Sequence, residues 1–349
     1  MRHFLIHVFA ALLFFGCDKQ HQLIEFEYTS KVDTSDHPIQ PQEKKVYDVE
    51  EDGIRADNLF DAARMNDFKK VGQDHYEILI NPENSPINMS PWFAFRISAQ
   101  EIIDSNDMKE WTRSLNSDYL SNSVIGKSRL DRDLLFMDIT KGAKSDKDFF
   151  IVLSRQHPPE VTGNLAMMAF IEEILIDSEL AEQFLDEYRV LVYPMLNLDG
   201  VDLGHWRHNE GGIDLNRDWA HYRQPEVRQV CEHIITKVNE TGQEVVLGMD
   251  FHSTWEDIYY IHDDTVKSSI QGFSKEWIEN IFERLPEDEG IIDPFPVNSP
   301  VSKNWFYSAF KAEAITYEIG DATPRNLIKT KGKIGVQEMM KLLLGGYKN

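Results

Sequence analysis

Phe149-Phe150-Ile151-Val152-Leu153-Ser154-Arg155-Gln156-His157-Pro158-Pro159-Glu160 joins an apolar run to a polar turn in which a histidine and a glutamate stand three residues apart. The run has the length and composition of a buried strand. A tight turn at its end can direct an imidazole nitrogen and a carboxylate at one cation, and zinc accepts both ligand types. Alone, His-x-x-Glu arises often by chance, and reads equally well as a loop histidine beside a solvated acid.

A second stretch repeats the arrangement. Val245-Val246-Leu247-Gly248-Met249-Asp250-Phe251 is another apolar strand pattern, and it leads into His252-Ser253. Two histidines and one glutamate leave a fourth zinc position for water, the arrangement of a catalytic rather than a structural site. Between the two stretches lie Tyr193-Pro194-Met195-Leu196-Asn197-Leu198-Asp199-Gly200, then Trp206-Arg207-His208-Asn209, then Asp214-Leu215-Asn216-Arg217-Asp218-Trp219. The first has turn chemistry. In the last, an Asn-Arg pair beside an acidic residue has the means to grip a carboxylate, since a guanidinium donates two parallel hydrogen bonds to one. Farther on, Glu318 interrupts the strand-like Ala314-Ile315-Thr316-Tyr317-Glu318-Ile319. An ionised side chain buried there costs several kcal/mol without a partner. A water activated by a metal is such a partner, and the glutamate can take its proton; an edge strand facing solvent is the plainer alternative.

Around these motifs, strand candidates at residues 134–139, 149–154, 189–194 and 245–251 alternate with helical spacing at 163–175 and an amphipathic pattern at 226–238. The alternation predicts an α/β domain over residues 121–349, with a mixed, largely parallel sheet flanked by helices. In such open sheets, sites form beyond the carboxyl ends of the strands. Residues 46–120 read as a small antiparallel β-sandwich, with strands at 75–80 and 92–98 separated by Asn81-Pro82-Glu83-Asn84-Ser85-Pro86. Residues 18–45 read as a polar tether, with one strand expected at 23–28.

The 349-residue chain is 42% hydrophobic and 27% charged, as soluble globular proteins are, and its net charge of −23 excludes nucleic acid as a partner. Arg2 and His3 precede an apolar stretch at residues 4–15, of the length of a secretory h-region, which ends in Gly16-Cys17. Residues 1–17 thus resemble a bacterial lipoprotein signal, which implies lipidation of Cys17, a membrane partner through that anchor, and an exported periplasmic or cell-surface location. Phe14 and Phe15 depart from the usual lipobox, which leaves a plain signal peptide or an uncleaved anchor as alternatives. With Cys17 lipidated, Cys231 has no disulfide partner in the chain, and it reads as a small buried hydrophobe.

The order His-x-x-Glu, Pro-Met-x-Asn-x-Asp-Gly, Arg, Asp-x-Asn-Arg, His-Ser and strand Glu resembles the zinc carboxypeptidase family, nearest its cytosolic carboxypeptidase (deglutamylase) branch and bacterial relatives. The resemblance implies one zinc ion on His157, Glu160 and His252, with Asp214 orienting His157. It implies Glu318 as general base, Arg207 at the oxyanion, and Asn216 and Arg217 on the terminal carboxylate of a peptide or protein substrate. Lys303 falls on the segment lining the pocket for the terminal side chain, where a cation favours Asp or Glu. Two rivals stand beside this reading, a peptidoglycan stem-peptide peptidase of the same fold and a catalytically silent zinc- or peptide-binding protein. The mobile tyrosine that familiar carboxypeptidases carry shortly before the equivalent of Trp305 is missing from residues 293–298, so either that hydroxyl is absent or Tyr307 supplies it.

Overall fold

The computed structural model describes residues 103–286, 290–295 and 297–346, with residues 21 and 23 and two short ladders, Val49–Glu50 with Gly53–Ile54 and Lys69–Lys70 with Tyr76–Glu77. The leader at 1–17, nearly all of the tether with the strand expected at 23–28, and most of the expected β-sandwich, including its strand at 92–98, lie outside the described residues. Among the described residues, no helix is long and apolar enough to cross a membrane.

The described part opens with α1 (Ser105–Ser114), β1 (Leu120–Lys127) and β2 (Asp133–Ile139). β3 (Asp148–Ser154), α2 (Val161–Ile174), α3 (Glu179–Glu187) and β4 (Tyr188–Tyr193) follow. Then come α4 (Leu198–Asp202), α5 (Pro225–Thr241), β5 (Val245–Thr254) and β6 (Ile258–Ile261). The chain ends with α6 (Phe273–Arg284), β7 (Ile291–Pro294), α7 (Ser302–Phe310), β8 (Glu313–Gly320) and α8 (Arg325–Leu344). The strands form one sheet in the order β7-β6-β8-β5-β3-β4-β2-β1. Its four central strands, β8, β5, β3 and β4, are parallel neighbours, while β6 against β8, β4 against β2 and β2 against β1 are antiparallel.

The run at 149–153 is uniformly apolar because both faces of β3 are covered. Phe150 and Val152 enter a core layer with Met167, Phe170 and Ile171 of α2 and Val336 and Met339 of α8. Phe149, Ile151 and Leu153 face the opposite layer, with Val227, Val230 and Ile234 of α5 and Trp305 and Phe306 of α7. Each such side chain, fully buried, contributes roughly 1.5–3 kcal/mol through removal from water. Cys231 lies fully buried in the second layer as a free thiol, in keeping with its reading as a hydrophobe. Residues 105–114, grouped by sequence with the preceding module, form a helix with an Asp104 capping box, and its Met108 and Trp111 join the first core layer.

From β3 the chain runs to β4 on one side, and β5 lies against β3 on the other. The crevice at the carboxyl ends of β3 and β5 therefore lies where the winding reverses, the position at which open α/β sheets hold ligands.

Candidate active site

Beyond Ser154 the chain turns sharply at Arg155, whose φ of 57° lies in the left-handed region that bulky residues rarely adopt. Its side chain shows what holds it there. The buried guanidinium donates from Nε to the Pro158 carbonyl at 2.8 Å and from a terminal nitrogen to Asn164 Oδ1 at 3.2 Å, tying the His157–Glu160 turn to the first turn of α2. Burial pulls its pKa down to about 10, so it stays charged at neutral pH. Gly163 lets α2 approach β5, because a Cβ there would stand 2.1 Å from the carbonyl oxygen of His252. Its N–H donates to Ser253 Oγ at 2.8 Å. Two ligand-type segments remote in sequence are thereby locked together.

His157 Nδ1 lies 2.7 Å from Glu160 Oε1, and His252 Nδ1 lies 2.6 Å from Glu160 Oε2. The outer ring nitrogens are held by carboxylates: His157 Nε2 donates to Asp214 Oδ1 and His252 Nε2 to Asp250 Oδ2, each at 2.9 Å. With its proton fixed on Nε2, each imidazole presents the Nδ1 lone pair inward. Among the described residues this is the one group of three metal-ligand side chains whose donor atoms all lie within 4.8 Å of one another.

Charge tests whether a cation fits. Glu160, Asp214 and Asp250 surround the two imidazoles. Burial raises the Glu160 carboxyl, but the adjacent imidazoles outweigh it and hold it well below the usual carboxylate range. Asp214 is depressed in the same way, burial being overcome by His157, Arg207 and Arg217. Burial opposes protonation of His252, but Asp250 and Glu160 raise its pKa well above the ordinary value. A divalent cation supplies the positive charge that these groups otherwise draw from protons, and two imidazoles with one carboxylate are a zinc donor set.

Glu318 sits directly beside His252 in the parallel pairing of β8 and β5. It is half-buried and lines the cleft, and its buried Oε2 has no hydrogen-bond partner among the described residues. Burial, reinforced by Glu160, pushes its carboxyl up to about 7. The edge-strand reading is excluded, since β8 lies inside the sheet.

The cleft, of ≈ 440 Å³, also takes in Arg207, Asn216, Arg217 and Lys303, so all the sequence-predicted substrate residues converge. Arg207 Nε donates to Asp214 Oδ2 at 2.7 Å, which makes Asp214 a bridge between His157 and the arginine. Asn216 receives the Ser302 N–H on Oδ1 at 2.9 Å, and its Nδ2 lies 3.3 Å from His252 Nε2. Lys303 is 1% exposed; its Nζ donates to the carbonyls of Ile261 and Phe295 at 3.2 Å, and burial lowers its pKa to about 7. Tyr307 does not reach the cleft: it packs against His262, with ring centroids 5.3 Å apart, and under Lys311.

Some members of the site had no assigned role in the sequence reading. Asp250 accepts from Gln156 Nε2 at 2.5 Å and from the Ser302 hydroxyl, and Gln156 Oε1 accepts from Trp219 Nε1 at 2.8 Å. The signal for Asp250 was available, an acidic residue inside an otherwise apolar strand two positions before His252. The Asn197–Gly200 segment is structural: Asn197 Oδ1 caps α4 through Gly200 N at 3.0 Å, and Asp199 accepts from Ser128 Oγ and Arg132 at 2.8 and 2.7 Å.

Comparison with known proteins places this architecture. A metallo-carboxypeptidase from Burkholderia cenocepacia superposes with a TM-score of 0.58 over 69% of each chain at 16% identity. One from Pseudomonas aeruginosa superposes with a TM-score of 0.57 over 68% of each at 20% identity. The fold is therefore that of the metallocarboxypeptidases. A family model described as zinc carboxypeptidase matches residues 108–333, and the chain belongs to that family. Cytosolic carboxypeptidase 2 of Xenopus tropicalis is 35% identical over 121 residues, 33% of this chain and 12% of that protein. Cytosolic carboxypeptidase 6 of Mus musculus is 29% identical over 148 residues, 40% of this chain and 27% of that protein. The matched regions are thus a minor part of those relatives' length.

Proposed function

We propose that the chain removes the C-terminal residue of peptides or proteins by hydrolysis, with one zinc ion held by His157, Glu160 and His252. The observation that carries this reading is the position of Glu318, a half-buried carboxylate whose buried Oε2 has no hydrogen-bond partner among the described residues, in register with one of the converging imidazoles. A silent binding protein has no chemical need for it.

When bound, zinc supplies Lewis acidity, polarising an amide carbonyl and making water easier to deprotonate. Glu318 takes the proton of the attacking water and delivers it to the departing amine nitrogen, with no covalent bond between protein and substrate. Arg207, pinned through Nε by Asp214, donates from its remaining nitrogens to the carbonyl oxygen as negative charge develops. Asn216 and Arg217 receive the terminal carboxylate, which confines cleavage to chain ends. Lys303, a buried cation in the cleft wall, favours Glu or Asp as the final residue. Delivery to the cell envelope through a lipid on Cys17, and a β-sandwich module over residues 46–120, belong to the same proposal and rest on the sequence.

Release of the final residue from a series of free and C-terminally amidated peptides tests the reading. Free peptides should be trimmed and amidated ones spared, with chelation stopping the reaction and zinc restoring it. Cleavage of amidated peptides at the same rate would contradict an exopeptidase.

A further inference from the structure

Tyr260 is the one tyrosine among the described residues that line the cleft. β6 runs antiparallel to β8 with Tyr260 opposite Thr316, so its ring leaves the same face of the sheet as Thr316 and, two residues on, Glu318. On the other side β7 brings Asp293 into register with it; that carboxylate is exposed, and its charge is screened by solvent. The Phe295 ring meets the Tyr260 ring edge-on, with centroids 5.8 Å apart. Lys303 Nζ stands 5.5 Å from the centroid of the same Phe295 ring, and one of its two carbonyl acceptors belongs to Ile261, the residue after Tyr260. No carboxylate forms an ion pair with Lys303 among the described residues, and the Tyr260 hydroxyl makes no hydrogen bond to any of them. One wall of the cleft thus carries a buried ammonium and a phenol without a hydrogen bond to the described residues, each in contact with the same aromatic ring.

We propose that Tyr260 is a specificity-determining residue whose hydroxyl donates to the side-chain carboxylate of the substrate's final residue, beside the charge of Lys303. The inference rests on the acidic preference proposed above. A tyrosine on a paired strand has its Cα fixed, unlike one on a mobile loop, and its hydroxyl serves a partner that arrives at a constant place. An acidic side chain gives both groups an acceptor at once, whereas an alkyl side chain leaves both without one.

Tyr260→Phe removes the hydroxyl and keeps the ring against Phe295. For a peptide ending in Glu, KM should rise about tenfold with kcat within about twofold of wild type; for the same peptide ending in Leu, both constants should hold. Binding of free L-glutamate to the zinc-loaded protein, followed by calorimetry, should weaken by about the same factor. An equal loss on both peptides, or a fall in kcat alone, would overturn the inference by placing the hydroxyl at a group common to all substrates. Wild-type turnover with no preference for Glu over Leu would also overturn it, and would leave the carboxypeptidase reading standing. Glutamate binding weakened by Tyr260→Phe, with no peptide cleaved by the wild type, would keep the inference and remove that reading. Failure of both glutamate binding and turnover would remove both.

Discussion

Asp214 and Asp250 settle which nitrogen of each imidazole turns inward, by accepting hydrogen bonds from the Nε2–H groups of His157 and His252 at the same 2.9 Å. Only the first was assigned by sequence; the second sits within the strand run itself. Its replacement, Asp250→Asn, should weaken zinc binding by about 10–100-fold, measured by competition with a chromogenic chelator. Unchanged affinity would show that the strand alone holds His252 in place without it. At Lys303 the consequence is one of pH. The buried ammonium loses its proton near pH 7, well below an ordinary lysine, because burial disfavours the charged form. The preference for a terminal Glu over Leu should therefore fall as pH rises from 6 to 8.5, read as a ratio of kcat/KM values. A ratio that rises over the same interval would contradict the assignment.

Much of this architecture is legible in the sequence at the level of elements. The strands at β2, β3, β4 and β5 and the helices at α2 and α5 showed themselves because burial on one face or two writes a simple apolar pattern. The ligands were legible because each follows or ends such a run. What sequence could not carry was contact between elements. His252 lies inside β5, which continues to Thr254, and the close approach of α2 to that strand depends on a glycine indistinguishable in sequence from any other. Gly163→Ala forces α2 and β5 apart at the His252 carbonyl. It should cost about 1–3 kcal/mol in urea unfolding and weaken zinc binding with it. A stable variant with normal zinc affinity would mean that the two elements part without disturbing the ligands. Tyr260 was missed for a related reason: only the pairing of β6 with β8 brings it beside Thr316, and nothing local marks it.

For the whole molecule, two core layers on an eight-stranded sheet hold the fold, and the metal site is a local addition to it. Chelation should therefore leave the domain folded. It should lower stability by an amount set by zinc concentration, about 2.7 kcal/mol relative to protein in free zinc at a hundredfold excess over Kd. Complete unfolding on chelation would contradict that division. The most direct test of the account compares wild type with Glu318→Gln for zinc content and turnover together. One zinc per chain in both proteins, with turnover lower by about 10²–10⁴-fold in the variant, is the expected result. Equal turnover in the two, or purified wild type that binds no zinc, would contradict it.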